Sequence, residues 1–196
     1  MPYLSQRVKD IAESQTIAMA RKSRELKAQG VDIISLSLGE PDFATPQIIK
    51  DAAKKAIDEN FSYYTHVSGY VELRQAICEK FKRDNKVEYT PDEIVVSTGA
   101  KQSIANAVLC LVNEGDEVIV PSPFWVSYLE ILKLAGAKPV IINTTIESDF
   151  KVTPAQLEKH ITPKTRLIIF STPCNPTGSV YSKAELKGIA DVVVKH

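Results

Sequence analysis

The sequence predicts an α/β fold with a mostly parallel, doubly wound sheet that is covered by helices on both faces. Between residues 94 and 170, four short apolar segments rich in β-branched residues alternate with segments of helical character. Continuous apolar runs of this kind are typical of parallel strands that are buried on both faces. Helical connections between parallel strands are right-handed, which places the helices against the sheet.

The first ninety residues predict three helices and one strand. Residues 11–29 mix apolar and charged residues as a helix does, and Gly30 follows where helices commonly end. The apolar segment 33–38 predicts a strand that stops at a Gly/Pro loop. Thr45 and Pro46 are expected as N-cap and first residue of the next helix, and another helix is expected over about 71–83.

From Thr90 onward, strands and helices alternate regularly. Thr90, Thr153 and Ser182 each begin a sequence typical of a helix N-terminus. The predicted elements are, in order, a turn after Thr90, the strand 94–97, the helix 102–112, the strand 117–120, the helix 126–135, the strand 139–142, a short helix after Thr153, the strand 166–170 and a helix after Ser182.

The composition excludes several classes of protein. The 196 residues include 24 Lys and Arg against 24 Asp and Glu, so there is no basic excess for nucleic acid or an anionic membrane. The three cysteines form no Cys-x-x-Cys pair, and no run of 18 apolar residues is present. We therefore expect a cytoplasmic protein with reduced thiols, no metal and small-molecule partners. Folding should bury about 70% of the unfolded chain's surface.

Candidate ligand-binding residues follow three of the predicted strands, because ligands of open α/β sheets bind beyond the carboxyl ends of the strands. After the strand 94–97, Gly99, Ala100 and Lys101 lead into a helix, whose first N–H groups and dipole favour an anion such as phosphate. The alternative is an ordinary turn in which Gly99 only supplies backbone freedom. The segment matches neither a P-loop nor a GxGxxG fingerprint, so no nucleotide is implied.

The other two candidates are an aromatic ring and an amide. Trp125, the one tryptophan of the chain, follows the strand 117–120 in a proline-containing loop. Its indole could stack on an aromatic ligand, although a tryptophan among apolar neighbours is also typical of a core. Asn175 lies between Pro173 and Pro176 after the strand 166–170, where its amide could donate to a ligand oxygen; the alternative is a simple Asn-Pro turn.

Five motifs occur in a fixed order along the chain. They are Ser-Leu-Gly-Glu-Pro-Asp-Phe at 37–43, Tyr64 followed by Gly69 and Glu-Leu-Arg at 72–74, Ser-Thr-Gly-Ala-Lys-Gln at 97–102, Pro-Ser-Pro-Phe-Trp at 121–125, and Asn-Pro-Thr-Gly at 175–178. Together they resemble the motifs of the class I pyridoxal-phosphate aminotransferases, and most closely those of the bacterial aspartate aminotransferase branch. The resemblance covers essentially the whole chain.

The resemblance implies a role in binding pyridoxal 5'-phosphate for residues at all three candidate positions. In the similar family, the turn matching Gly99, Ala100 and Lys101 holds the cofactor phosphate through backbone N–H groups. The residue matching Trp125 stacks on the pyridine ring. The residue matching Asn175 donates a hydrogen bond to the phenolate oxygen of the ring.

The resemblance also implies substrate contacts and a partner subunit. Gly39 matches a glycine whose backbone meets the substrate carboxylate, and Thr16 is expected with Lys101 near the distal carboxylate of a dicarboxylic substrate. Tyr64 matches a tyrosine that reaches the cofactor phosphate of the neighbouring subunit, which implies a homodimer of the full-length protein. The expected substrate-binding residues are Gly39, Trp125, Asn175 and Thr16.

The catalytic residues that the resemblance implies are not among these residues. The lysine that forms the Schiff base, the acidic partner of the pyridine nitrogen and the arginine for the substrate α-carboxylate all follow the Asn-Pro-Thr-Gly motif in the similar family. Lys151 has a Ser-x-x-Lys context but precedes that motif, and we expect it at the surface. We therefore expect an inactive, truncated chain, with 1–44 as an N-terminal arm and part of a small domain and 45–196 as the first part of the large cofactor-binding domain.

The function implied for the full-length protein is transamination between an acidic amino acid, aspartate first, and a 2-oxo acid such as 2-oxoglutarate. One alternative is another pyridoxal-phosphate reaction on the same fold, of the β-lyase type. The other is a non-catalytic sensing module of a regulator. Residues 1–30 carry neither a helix-turn-helix pattern nor a basic excess, which disfavours a DNA-binding regulator.

Overall fold

The computed structural model describes residues 3–196, which form two compact units. The first unit comprises residues 3–21 together with Ile104–His196, and the second comprises Lys22–Ser103. The predicted division of the chain at residues 44 and 45 stays a prediction. None of the helices within residues 3–196 is both long enough and apolar enough to span a bilayer.

The first unit is built on a parallel sheet of three strands in the order β2-β1-β3. The strands are β1 (Glu117–Ser122), β2 (Lys138–Asn143) and β3 (Thr165–Ile168). Glu117 lies opposite Lys138 in the register of β1 and β2, and its carboxylate accepts from the Lys138 ammonium at 3.0 Å. The α/β class and the parallel sheet that the sequence predicts are confirmed.

Helices account for most of the remaining regular structure. They are α1 (Gln6–Lys9), α2 (Gln15–Ala28), α3 (Gln47–Asp58), α4 (Val71–Lys80), α5 (Ala100–Leu111), α6 (Ser127–Leu134), α7 (Pro154–His160) and α8 (Lys183–Lys195), with 3₁₀ turns at Pro91–Glu93 and Ile146–Ser148 and a π-helical turn at Phe81–Asn85. The predicted capping boxes at Thr90, Thr153 and Ser182 are all present.

Two hydrophobic cores cover the two faces of the sheet. Val118 and Val120 of β1 pack into one core with the apolar faces of α5 and α6, and Leu132 is fully buried there. Ile119 points the other way and packs with Leu157 of α7 and with α8. Because successive side chains of a strand alternate between faces, the fully buried β1 supplies both cores, as expected for a doubly covered sheet.

Two predicted strands are wrong. Residues 33–38 and 94–97 form no strand in the structure. In the second segment, Val95 is 64% exposed, and the Val96 N–H donates to the Ser68 carbonyl in a loop at 3.1 Å. β-branched residues favour extended backbone, but a strand also needs a partner that completes its hydrogen-bond ladder, and the second unit contains no strand.

The predicted cap of α3 is displaced. Pro46, rather than Thr45, occupies the N-cap position, and no side chain caps the helix. Pro46 has a ψ of 142°, an extended value, so the helix begins one residue later than the Thr-Pro pattern predicts.

The predicted extent of burial is also wrong. The chain exposes 14556 Å², which is about half of the roughly 31,000 Å² expected for an unfolded chain of this mass. Ile34, Leu36 and Val67 of the second unit are each more than four-fifths exposed. The expectation of 70% burial fails because much of the apolar surface of residues 22–103 is not covered by other parts of the described chain.

Candidate functional site

The start of α5 has the geometry of an anion site. Gly99 precedes the helix with a φ of +83°, and a Cβ built on it would meet no atom within 4 Å. Its carbonyl accepts from the N–H groups of Gln102 and Ser103, while the Ala100 N–H finds no acceptor within residues 3–196. The first N–H groups of a helix lack intrahelical partners and attract anions. The left-handed backbone of Gly99 also fits the alternative of an ordinary turn.

The side chain of Gln102 shapes this turn. Its amide oxygen accepts the Thr98 N–H at 2.5 Å, so the residue before Gly99 is tied to the first turn of α5. Lys101 and the rest of this segment are exposed to solvent. The roles expected for Gly99, Ala100 and Lys101 stay predictions.

Gly39 and Tyr64 lie in exposed loops of the same unit. Gly39 follows the irregular segment 33–38, and Tyr64 lies in the loop after α3 with its side chain fully exposed. The exposed Tyr64 ring is accessible to a binding partner, and nothing within residues 3–196 identifies that partner. Their expected contacts with the substrate and with a neighbouring subunit stay predictions.

Trp125 lies in the loop between β1 and α6. Its ring meets the ring of Tyr128 edge to face, with centroids 5.6 Å apart and planes at 87°. The residue is half-buried and packs against the core formed by α5, α6 and β1. Trp125 therefore packs as expected for the alternative, in which the residue belongs to the hydrophobic core. Because the ring is only half-buried, part of its surface remains accessible to a flat ligand.

Asn175 lies in the loop that follows β3. The Thr172–Pro173 and Asn175–Pro176 peptide bonds are both cis. The Asn175 backbone N–H donates to the Ser171 hydroxyl at 3.3 Å, whereas no protein group within residues 3–196 bonds its exposed side-chain amide. An amide in this position can donate to a ligand oxygen.

The structure brings the loops of Trp125 and Asn175 together. They follow β1 and β3, which are adjacent strands, and the Cys174 thiol approaches the Pro123 carbonyl at 3.6 Å. A cavity of about 10 Å³ between the loops has room for no more than one water molecule. This cavity is therefore too small for any larger ligand. Thr16, half-buried in α2, belongs to the same unit.

The predicted residues divide between the two units. The first unit contains Thr16, Trp125 and Asn175, and the second contains Gly39, Tyr64, Gly99, Ala100 and Lys101. A cleft of about 560 Å³ beside β3, lined by residues of α7, α8 and the strand itself, includes none of them. Within residues 3–196, no group of His, Cys, Asp and Glu side chains is arranged to hold a metal ion.

Lys151 is not the surface residue that its sequence position predicts. Its side chain is only 18% exposed, and its ammonium lies 3.1 Å from Asp149 and 3.2 Å from Glu185. The hydrogen bond to Asp149, followed by that to Glu185, raises the pKa of Lys151. The prediction is wrong because Glu185 is 34 residues away along the chain, and local sequence carries no signal of this pairing.

Tyr181 is a residue that sequence reasoning missed. It is 7% exposed, and its phenolic oxygen accepts the Val152 N–H at 2.7 Å. Burial raises the pKa of Tyr181, and the Val152 hydrogen bond opposes this shift. Its ring meets Phe170 edge to face at 5.3 Å, so it joins the end of β3 to the segment before α7.

Comparison with known proteins identifies relatives along the whole chain. The family model for class I and II aminotransferases matches residues 31–196. The aspartate/prephenate aminotransferase of Cereibacter sphaeroides is 50% identical over 196 residues, which are 100% of this chain and 49% of that protein. The protein of the same name from Nitrosomonas europaea is 53% identical over 98% of this chain and 49% of its own length.

Solved structures agree with these relatives. The aspartate aminotransferase of Thermus thermophilus with maleate superposes with a TM-score of 0.96 at 42% identity, over 100% of this chain and 51% of that one. The aspartate aminotransferase of Rhizobium meliloti gives a TM-score of 0.93 at 40% identity, over 98% of this chain and 48% of that one. The chain thus spans about half the length of the proteins that it matches.

Proposed function

Because the chain belongs to the class I and II aminotransferase family, we propose that the whole protein transfers the amino group of an acidic amino acid, aspartate first, to a 2-oxo acid such as 2-oxoglutarate. The relatives and solved structures named for aspartate support this substrate. Pyridoxal 5'-phosphate is proposed as the cofactor, and a cytoplasmic homodimer as the working form.

The residues present fit a phosphate-bearing aromatic cofactor. The observation that carries the proposal is the meeting of the Trp125 and Asn175 loops, 3.6 Å apart at Cys174 and Pro123. These loops offer a partly exposed aromatic ring and an amide without a protein partner in residues 3–196. The start of α5, in the other unit, has N–H groups suited to a phosphate, and that they bind the phosphate of the same cofactor is proposed from family membership alone.

Each of these groups has a definite task in the proposed reaction. When bound, pyridoxal phosphate supplies the electron sink that lets an amino acid lose its α-proton. The Asn175 amide would donate to the phenolic oxygen of the bound ring, and the Trp125 indole would pack on the ring and hold its orientation. The Ala100 N–H at the start of α5 would bind the phosphate, and the Gly39 backbone is proposed to meet the substrate carboxylate.

Two parts of the proposal need groups that these 196 residues do not supply, a lysine and a second subunit. The lysine that bonds the cofactor covalently is proposed to follow the Asn-Pro-Thr-Gly motif in the whole protein, so these 196 residues alone are proposed to be inactive. Tyr64 is proposed to reach the cofactor phosphate of a second subunit. Borohydride treatment of the isolated chain with cofactor should therefore modify exposed lysines without preference for any one of them by mass spectrometry, and stoichiometric modification of a single lysine would contradict the first point.

Kinetic assays of the whole protein test the reaction itself. Aspartate with 2-oxoglutarate should give oxaloacetate and glutamate, whereas the β-lyase alternative predicts pyruvate from cystathionine. Replacing Trp125 by alanine should weaken cofactor binding by about threefold to tenfold, the factor expected when an aromatic contact of about 0.5–1.5 kcal/mol is lost. Leu134→Ala, on the exposed side of α6, is the control. Unchanged cofactor affinity in Trp125→Ala would reject the stacking role.

A second amino acceptor is favoured by one specific observation. Two relatives at 50% and 53% identity are named for prephenate as well as aspartate. We therefore propose prephenate as an alternative 2-oxo acid for the whole protein. The same assay with prephenate and aspartate should show turnover; turnover with 2-oxoglutarate alone would restrict the acceptor to that acid.

A further inference from the structure

The loop that carries Asn175 is cross-linked at its base. The Cys174 N–H donates to the Ser179 carbonyl at 2.9 Å, and the Gly178 N–H donates to the Cys174 carbonyl at 2.8 Å. The Tyr181 N–H donates to the Thr172 hydroxyl at 3.0 Å. These bonds join the incoming and outgoing arms of the loop, so the position of Asn175 depends on the residues that hold these arms.

The outgoing arm of the loop is anchored to one distant segment, residues 149–152. The Ser179 hydroxyl donates to the Asp149 carboxylate at 3.2 Å, and Ser179 is 8% exposed. Two residues farther along, the buried Tyr181 hydroxyl accepts the Val152 N–H at 2.7 Å. The anchoring bonds therefore join residues 30 and 29 positions apart in the chain, and both are made by the outgoing arm.

The 149–152 segment is itself held in an unusual backbone conformation. Asp149 and Phe150 both have a φ of +52°, a left-handed value that few non-glycine residues adopt and that persists only where surrounding groups hold it. The Lys151 ammonium, paired with Asp149 and Glu185, ties the segment to the first turn of α8. The 149–152 segment is thus held by its ion pair with α8 as well as by its bonds to the loop.

From this arrangement we infer that Ser179 and Tyr181 are positioning residues for Asn175, acting through their bonds to the 149–152 segment. The inference rests on the proposed function, because it assigns to Asn175 a hydrogen bond with the cofactor ring. Ser179 and Tyr181 would act on the cofactor only through Asn175, by fixing the angle at which its amide meets the ring. Loss of either hydrogen bond should make the orientation of the Asn175 amide less well defined, although the amide itself remains.

The experiment uses the whole enzyme and pyridoxal phosphate as the probe. Tyr181→Phe and Ser179→Ala each delete one hydroxyl and leave Asn175 in place. Each should weaken the equilibrium affinity for the cofactor by about threefold to tenfold, the factor that one hydrogen bond contributes. Each should also shift the visible absorption band of the bound cofactor in the same direction as Asn175→Ala, because the amide acts on the ring oxygen.

A double-mutant cycle separates positioning from general stability. In an Asn175→Ala background, the two hydroxyl deletions should change cofactor affinity by less than about twofold, because residues that act through one another are not additive. Ile189→Val is the matched control: it trims the same hydrophobic core as Tyr181 but removes no bond to the loop. It should lower the melting temperature and leave both affinity and spectrum unchanged.

The outcomes distinguish this inference from the proposed function. If Asn175→Ala shifts the spectrum while the hydroxyl deletions do not, or if their effects persist in the Asn175→Ala background, the positioning role is overturned and the proposed function stands. If Asn175→Ala itself leaves affinity and spectrum unchanged, the role of the amide in the proposed function fails and the inference fails with it.

Discussion

Replacing Gly188 by alanine sets two opposing effects against each other inside α8. Gly188 lies in the middle of the helix Lys183–Lys195, where alanine is favoured over glycine by about 1 kcal/mol. A Cβ on Gly188, however, would lie 2.8 Å from the Pro154 Cγ at the start of α7. Non-bonded carbon atoms normally stay about 3.5–4.0 Å apart, and the proline ring cannot rotate away.

The cost of the close contact with Pro154 should exceed the gain in helix propensity. Overpacking of a closely packed contact costs about 1–3 kcal/mol, so Gly188→Ala should lower the free energy of unfolding by up to about 2 kcal/mol after the gain in helix propensity. In a Pro154→Ala background the clashing atom is absent. There the same substitution should raise the free energy of unfolding by about 1 kcal/mol.

Urea-induced unfolding of the four variants measures both effects. The expected result is a change of sign: Gly188→Ala destabilises the parent protein and stabilises the Pro154→Ala protein. Equal stabilisation in both backgrounds would refute the reasoning, because it would show that α7 and α8 separate by several tenths of an ångström without cost.

Two further predictions concern the first unit. Leu132→Ala removes a fully buried side chain and should lower the free energy of unfolding by about 2–5 kcal/mol in urea; a loss below 1 kcal/mol would mean that the core between α6 and the sheet collapses to fill the cavity. The Thr162 hydroxyl, followed by the Lys138 ammonium, lowers the pKa of Glu117, so its carboxylate stabilises the fold above its ordinary pKa of about 4.3 and this contribution is lost as pH falls through the lowered value. The difference in stability between the parent protein and Glu117→Gln should therefore shrink below about pH 4 in acid titrations, and a difference that stays constant to pH 2 would contradict it.

Local signals predicted most of the helices and all three strands of the sheet. Thr153 and Ser182 cap their helices because each hydroxyl has a Gln or Glu three residues later, and this pattern is complete within four residues of sequence. The apolar run at β1 predicted a strand buried on both faces, and Val118, Ile119 and Val120 are all fully buried. In these cases the residues that determine the element all lie within one helical turn or one strand.

The failures occur where the outcome depends on a distant partner. The segment 94–97 has the composition of a strand but no ladder in the described chain, and Lys151 is half-buried in an ion pair with Glu185. The candidate site shows the same limit. The rule that ligands bind beyond the ends of parallel strands pointed to Trp125 and Asn175, whereas Ser179 and Tyr181 were missed because their anchoring bonds reach residues about thirty positions away.

The meeting of the Trp125 and Asn175 loops also limits when the site can assemble. Cys174 and Pro123 are 51 residues apart in sequence, and β1 can pair with β2 through the short α6 connection before β3 exists. Closing a long loop carries an entropic cost that must be met before its contacts form, so non-local pairings form slowly. During synthesis, β1 and β2 therefore emerge with one side of β1 still open, and the two loops become neighbours only when β3 fills that position.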